Sequence, residues 1–181
     1  MQNNLQKNKF DYLKIYQEAH NNAAELLKEA EILFDNECYS RSYFLAFTAL
    51  EEISKSQFAA DVSTGYSKEK VFLRFYTNHK YKIKGMSWAH YDANTSPHNL
   101  VWVGPDRDDV ERVKANEPLF EKRNNSLYVG IINNYIKLPK KEILGPDAKE
   151  IIHIANVAFQ RIWEASGEFG GNQIGTKGFM K

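Results

Sequence analysis

Apolar residues recur every three or four positions over residues 9–35, and this spacing predicts one long amphipathic helix. The positions that form its apolar stripe are Leu13, Tyr16, Ala19, Ala23, Leu27, Ala30 and Phe34. A polar run at 35–37 interrupts the pattern, and a second helix is predicted from about residue 40 to residue 62. Because the break is short, we expect the two helices to form an antiparallel hairpin at the centre of an all-α fold.

The second helix is apolar around most of its circumference, which is typical of a central, buried helix. Its main stripe holds Tyr43, Phe44, Phe47, Leu50, Phe58 and Val62. Glu51 falls inside this stripe, Lys55 lies one turn further on at its edge, and Glu52 points elsewhere, where we expect it in solvent. An isolated buried charge is very costly, so Glu51 should be paired. Glu51 and Lys55 either form a pair that only stabilises the helix or belong to an internal polar site shared with another helix.

Shorter elements are predicted after the central hairpin. A third helix is predicted from about residue 67 to residue 83, with Phe72, Phe75 and Tyr76 facing inward. Residues 85–107 are punctuated by glycine and proline, and we interpret them as a long ordered loop, a kind of segment that is often functional. Two accessory helices are predicted over 106–115 and 118–126.

The C-terminal part combines a β-prone stretch with a last helix. Residues 127–144 contain an Asn-Asn pair, and a small β-hairpin is predicted there. The last helix is predicted to begin at Pro146, a favourable first-turn residue. We interpret residues 1–167 as a single helical domain and residues 168–181 as a flexible, Gly-rich tail.

Charge and cysteine content narrow the functional classes. The chain has 24 Lys and Arg against 23 Asp and Glu, so no global field draws it to nucleic acid or to a membrane. Any RNA binding must therefore come from a local patch. Cys38 is the single cysteine, so no intrachain disulfide can form, and the sequence shows neither an apolar leader nor a membrane-length apolar stretch. These features predict a cytoplasmic protein with no membrane partner.

Two further clusters hold residue types that can carry chemistry. The first contains His79 and Lys82, which are either functional or simply basic residues suited to a helix end. The second contains Arg123, Asn124 and Tyr128. A guanidinium has the fork geometry for phosphate or carboxylate, but isolated Arg and Tyr residues are more often packing or surface groups.

The sequence indicates neither a metal site nor a cofactor. His90, Asp92 and His98 lie in the predicted loop, but their spacing matches no standard metal-binding motif. Walker, GxGxxG, GxSxG, HExxH and CxxC motifs are all absent from the sequence. These absences exclude the common enzyme classes that such motifs mark.

Several segments together resemble the AbiV group of HEPN-fold abortive-infection proteins. The similar segments are AAELL at 23–27, AEIL at 30–33, Tyr39 and 41–43, ALEEISK at 49–55, Phe75 with His79 and Lys82, and 123–129. The likeness spans roughly residues 19–130. It implies an up-and-down four-helix bundle with accessory elements, and it implies a homodimer.

The resemblance also bears on catalysis. Many HEPN proteins are metal-independent ribonucleases that use an Arg and a His a few residues later. Arg123-Asn124 matches the start of the Arg-Asn-x-x-x-His form, with Tyr128 at the His position. A phenol does not readily take a proton near pH 7, so either the site has lost nuclease activity or His79 supplies the acid–base group from another helix.

Three functional hypotheses follow. The first is a phage-defence effector that acts on RNA, with Arg123 holding phosphate and His79 or Tyr128 assisting. The second is a non-catalytic module that binds a protein or a nucleotide, and the third is a helical structural protein. The missing His favours the second hypothesis over the first, and the internal Glu51 and Lys55 count against the third. We therefore expect a defence protein that acts through RNA or through a phage or host protein.

One polar site is expected to unite these residues. The catalytic candidates are Arg123, Tyr128 and His79, and the binding candidates are Glu51, Lys55, Lys82 and Asn124. Arg123 has five donors in a fixed fork, so it is suited to satisfy Glu51 from a neighbouring helix and still face a phosphate.

Overall fold

The computed structural model describes residues 9–63, 65, 67–77 and 120–166. Its elements in chain order are α1 (Tyr12–Asp35), α2 (Tyr39–Ser63), α3 (Glu69–Thr77), α4 (120–127), β1 (Gly130–Ile132), β2 (Tyr135–Lys137), α5 (Pro139–Glu142) and α6 (Gly145–Ser166). The all-α prediction is confirmed, with one small sheet added to it. The predicted loop at 85–107, the predicted helix at 106–115 and the predicted tail at 168–181 lie outside the described residues.

The central helical hairpin forms as the apolar pattern predicts. Asp11 caps α1 by accepting a hydrogen bond from the Lys14 N–H at 3.0 Å. The helix ends where Glu37 adopts a left-handed backbone, with φ at 57°. This allows the Cys38 N–H to donate to Leu33 O and the Glu37 N–H to donate to Phe34 O, the Schellman pattern that turns the chain into α2.

The core lies around α2, which packs between α1 and α6. Fully buried side chains on α2 include Tyr43, Phe47, Leu50 and Ile53. Small buried residues of both helices, such as Ala23 and Ala30 on α1 and Ala46 and Ala49 on α2, belong to the same core. The Ser42 hydroxyl donates to Ala30 O at 2.7 Å, which joins the two helices by a buried hydrogen bond. From α6, the core receives Ala148, Ile151, Ile154, Ala155 and Ala158.

The predicted β-hairpin is present, with short strands. β1 and β2 pair antiparallel, with Ile131 opposite Ile136. Asn133 and Asn134 form the turn with φ of 48° and 66°, as a type I′ turn requires at both central positions. In the described part of the chain, no helix is both long and apolar enough to cross a bilayer.

Candidate functional site

Glu51 is buried in α2, as its place in the apolar stripe predicts, with 5% of its surface exposed. Lys55, however, forms its ion pair with Glu52. The prediction that Glu52 lies in solvent is wrong, because only 15% of its side chain is exposed. Glu52 and Lys55 are three positions apart on α2, so their side chains meet on one side of the helix.

The pair formed by Glu52 and Lys55 lies in a groove between α1, α2 and α3. The groove has a volume of about 670 Å³ and includes Lys14, Glu18 and Tyr76 in its lining. The Tyr76 ring centroid lies 5.9 Å from the Lys55 ammonium, within cation–π distance. Tyr76 is nevertheless 55% exposed, so the prediction that it faces inward is wrong, whereas Phe72 is buried as expected.

Arg123 on α4 contacts Phe44 of α2. Its guanidinium carbon is 4.8 Å from the centroid of the Phe44 ring, and its Nη1 donates to Asn124 Oδ1 at 3.2 Å. The buried Nε of Arg123 has no hydrogen-bond partner among the described residues. None of the ion pairs in this part of the chain involves Arg123. The guanidinium therefore has no counter-ion among the described residues and at least one buried donor without a described acceptor.

Contacts of the flanking residues Lys122 and Ser126 fix the backbone at Arg123. The Ser126 hydroxyl, fully buried, donates to Arg123 O at 2.6 Å. Lys122 forms a 2.6 Å ion pair with Asp147 on α6, and Asp147 also accepts the Leu144 N–H at the start of that helix. Partial burial acts to raise the pKa of the Asp147 carboxyl, but the hydrogen bonds from Lys122 and Leu144 outweigh it and hold that pKa below its usual range.

A buried tyrosine, predicted from its place in the stripe only as an apolar core residue, lies next to Phe44 in the chain. The Tyr43 hydroxyl is buried, and no hydrogen-bond partner for it is present among the described residues. Burial raises the pKa of Tyr43, and the negative charges of Glu150 and Asp147 raise it further. Tyr43 therefore remains a neutral hydrogen-bond donor on the side of α2 that faces Asp147 and Glu150 of α6.

Tyr128 lies at the surface just beyond the end of α4. Its side chain is 61% exposed, and its N–H donates to Asn124 O at 3.1 Å. Arg123 is half-buried against Phe44, so the two side chains occupy different environments. The structure thus brings Arg123 and Asn124 together, and it places the Tyr128 phenol in solvent.

The remaining candidates are related to Arg123 through α2. Phe44 and Glu51 are two turns apart on the same side of that helix, a rise of about 10 Å. Arg123, packed on Phe44, is therefore on the side of α2 that carries Glu51, but the two do not form an ion pair. His79 and Lys82 lie outside the described residues, so convergence of all these residues on one site stays a prediction.

Comparison with known proteins identifies the family to which the chain belongs. The searches of curated proteins and of solved structures found no match. The family model HEPN_AbiV, described as AbiV, matches residues 11–160. This range includes the central hairpin and the whole Arg123 region. Because the match extends over most of the chain, the protein belongs to the HEPN_AbiV family.

Proposed function

We propose that this protein is a phage-defence protein of the abortive-infection type that acts on RNA, with Arg123 as the residue that holds phosphate. The observation that supports this most directly is the state of Arg123: a half-buried guanidinium that lies over the Phe44 ring, with no ion pair in the described part of the chain. A partly buried cation without a counter-ion is stabilised when it binds an anionic ligand.

The local structure also fits recognition rather than mere packing. The guanidinium carbon lies over the Phe44 ring within cation–π distance, and the N–H groups of a guanidinium form a fork that can bind an anion. Asn124 engages Nη1 and fixes the rotation of the group. An RNA phosphate offers two oxygens at the spacing that such a fork prefers.

The proposal also assigns the proton-transfer step. With the phenol of Tyr128 in solvent, we assign it to substrate contact rather than to proton abstraction, which leaves His79 as the proposed acid–base group. The alternative function is a non-catalytic module that binds a protein or a nucleotide. It is favoured by Tyr128 at the position where the family's nuclease motif has His.

The test is incubation of the purified protein with total RNA and tRNA in EDTA, alongside Arg123→Ala and Arg123→Lys. Arg41→Ala, a change at an exposed arginine on α2, is the matched control. We expect Arg123→Ala to lower RNA cleavage or RNA affinity at least about tenfold, and Arg123→Lys to restore only part, because lysine keeps the charge but loses the fork.

Each result has a defined meaning. Cleavage in EDTA that depends on Arg123 supports a metal-independent ribonuclease. RNA binding that depends on Arg123 without cleavage supports the non-catalytic form. Equal behaviour of wild type and Arg123→Ala in RNA binding, in cleavage and in protection of cells against phage contradicts the role of Arg123. We also propose, from the family, that the protein is a homodimer.

A further inference from the structure

The groove between α1, α2 and α3 is lined differently by its helices. Lys14, Glu18 and Asn22 follow one another at intervals of four residues, so they form one polar ridge of α1. From α3 the groove receives Leu73 and the ring of Tyr76. Its volume of about 670 Å³ lies within the usual range for small-molecule sites. A ligand in this groove therefore meets polar groups from α1 and apolar surface from α3.

The charged groups of the α1 ridge have no ionic partner in the described part of the chain. Neither Lys14 nor Glu18 takes part in an ion pair there, although the two residues are only one turn apart. Both side chains are exposed. On α2, by contrast, Glu52 and Lys55 neutralise each other. The ridge thus offers a carboxylate that can accept hydrogen bonds and an ammonium that can donate them to a ligand.

The α3 side of the groove provides a large aromatic surface. The Tyr76 ring is stacked with Phe72, with the two centroids 6.0 Å apart and the ring planes at 16°. The Lys55 ammonium lies 5.9 Å from the Tyr76 centroid. Even with these contacts, 55% of the Tyr76 surface is exposed. An exposed ring held from within the fold in this way is suited to stack on a planar heterocycle.

We propose that this groove binds a free guanine nucleotide, with the base at Glu18 and Tyr76 and the phosphate at Lys14. The inference does not rest on the RNA role proposed for Arg123, because Arg123 is not among the residues that line the groove. It assigns a second site, on a different part of the helical bundle.

The carboxylate of Glu18 selects guanine among the bases. Of the three carboxylates that line the groove, Asp11 caps α1 and Glu52 pairs with Lys55, so Glu18 remains for the ligand. Guanine presents two adjacent donors, N1–H and the 2-amino group, and the two oxygens of a carboxylate accept such a pair. Adenine presents one donor next to a lone pair on N1, which a carboxylate repels. Asn22, one turn further along α1, can donate its amide N–H to guanine O6.

The position of Lys14 suits the phosphate. Lys14 lies one turn from Glu18 toward the N-terminus of α1, a rise of about 6 Å, and that end of the helix dipole favours an anion. Asp11 lies at the same end, but its carboxylate already accepts the Lys14 N–H at 3.0 Å. The groove therefore presents an anion to the donor edge of the base and a cation to the phosphate, in the order in which guanosine monophosphate (GMP) carries these groups.

The experiment is isothermal titration of the full chain with GMP, guanosine and AMP. We expect one GMP to bind per chain, and AMP to bind at least about 30-fold more weakly, because its lone pair faces the carboxylate. Glu18→Gln should weaken GMP binding at least about tenfold, since an amide has one acceptor oxygen instead of two. Lys14→Met should weaken GMP binding about tenfold and leave guanosine binding unchanged. Tyr76→Ala should weaken the binding of GMP and of guanosine alike, by about tenfold.

The matched control is Glu25→Gln, a change at an exposed position of α1 that does not line the groove. Circular dichroism checks that each variant is folded. GMP binding that is weakened in Glu18→Gln and Tyr76→Ala but unchanged in Glu25→Gln supports the assignment. Equal affinity for GMP and AMP, or no GMP binding up to about 5 mM, overturns it. So does GMP binding that both groove variants leave intact.

A final arm separates the free nucleotide from a guanosine within RNA. A short guanosine-containing oligoribonucleotide is titrated against wild type and Glu18→Gln. We expect it to bind this groove more weakly than GMP, because the groove has room for a single nucleotide. Tighter binding than GMP, with the same sensitivity to Glu18→Gln, overturns the free nucleotide as the occupant. Failure of GMP binding leaves the Arg123 proposal standing, since that proposal is tested by Arg123→Ala with RNA.

Discussion

The central helical hairpin and the region from α4 to β2 use their side chains in opposite ways. In the hairpin of α1 and α2, Ser42 is bonded to the facing helix and Lys55 is neutralised by Glu52. In the second region, Arg123 has no ion pair among the described residues, and aliphatic side chains of the β-hairpin formed by β1 and β2 face solvent. We infer from this difference that the first region mainly stabilises the fold, and the difference agrees with the binding role proposed for the second.

The sharpest test of this contrast truncates one residue in each region. Phe47 on α2 is fully buried, so Phe47→Ala should lower the free energy of unfolding by about 3–5 kcal/mol. Ile131→Ala should lower it by less than about 0.5 kcal/mol when measured at a concentration where the protein is monomeric. Urea denaturation of both variants measures the difference. Equal losses in the free energy of unfolding would show that the β-hairpin is as much a part of the core as α2 is.

A second test uses a buried carboxylate near the end of α2. Burial raises the pKa of Asp61 to about 6, against which the hydrogen bond from Gln57 acts. Since this pKa lies above the unfolded value of 3.8, the associated stability is fully present below pH 3.8 and is lost as the pH rises through about 6. Asp61→Asn should therefore stabilise the protein by about 1–3 kcal/mol at pH 7.5 and by much less near pH 4.

The measurement for Asp61 is the free energy of unfolding in urea at several pH values, with Asp35→Asn, a change near the end of α1, as the control. A gain for Asp61→Asn that is the same at pH 4 and pH 7.5 would contradict the raised pKa. A loss of stability at pH 7.5 would mean that the ionised carboxylate is favourably paired in the folded protein.

The smallest effect is expected at Asp147, where the pH dependence has the opposite sign. The depressed pKa of Asp147 means that its stabilising contribution is present above the unfolded value of 3.8 and is lost as the pH falls through the folded value. Asp147→Asn should cost about 0.5–1.5 kcal/mol at pH 7, since the ion pair with Lys122 is partly exposed. Thermal denaturation at pH 7 and pH 3 checks this, and Lys122→Met should reproduce most of the loss at pH 7.

Much of the fold follows from local patterns in the sequence. The apolar spacing of α1 and α2 is strong because both helices bury a wide face, and the Asn-Asn pair specifies the hairpin turn through its left-handed backbone. The ionic partner of Lys55 was not predictable in the same way. Glu51 and Glu52 are three or four positions from Lys55 and both within reach along the helix, so helix geometry alone does not choose between them.

The candidate site was only partly accessible from sequence. Arg123 is identified by its motif, but its cation–π contact with Phe44 joins residues far apart in the chain. The buried hydroxyl of Tyr43 could not be predicted from sequence. A tyrosine in an apolar stripe is indistinguishable from any other core aromatic until the surroundings of its hydroxyl are known. Long-range packing, which no periodicity encodes, sets both environments.

The short connection at 36–38 has a consequence for the order in which the chain folds. Contacts between α1 and α2 join residues that are close in sequence, so little entropy is lost in bringing them together, whereas α6 reaches the same core only after a long intervening stretch. We expect the α1–α2 hairpin to assemble first during synthesis, with its α6-facing side open until the C-terminal part arrives. The Arg123 region, anchored to α6 through Lys122 and Asp147, would then be completed last.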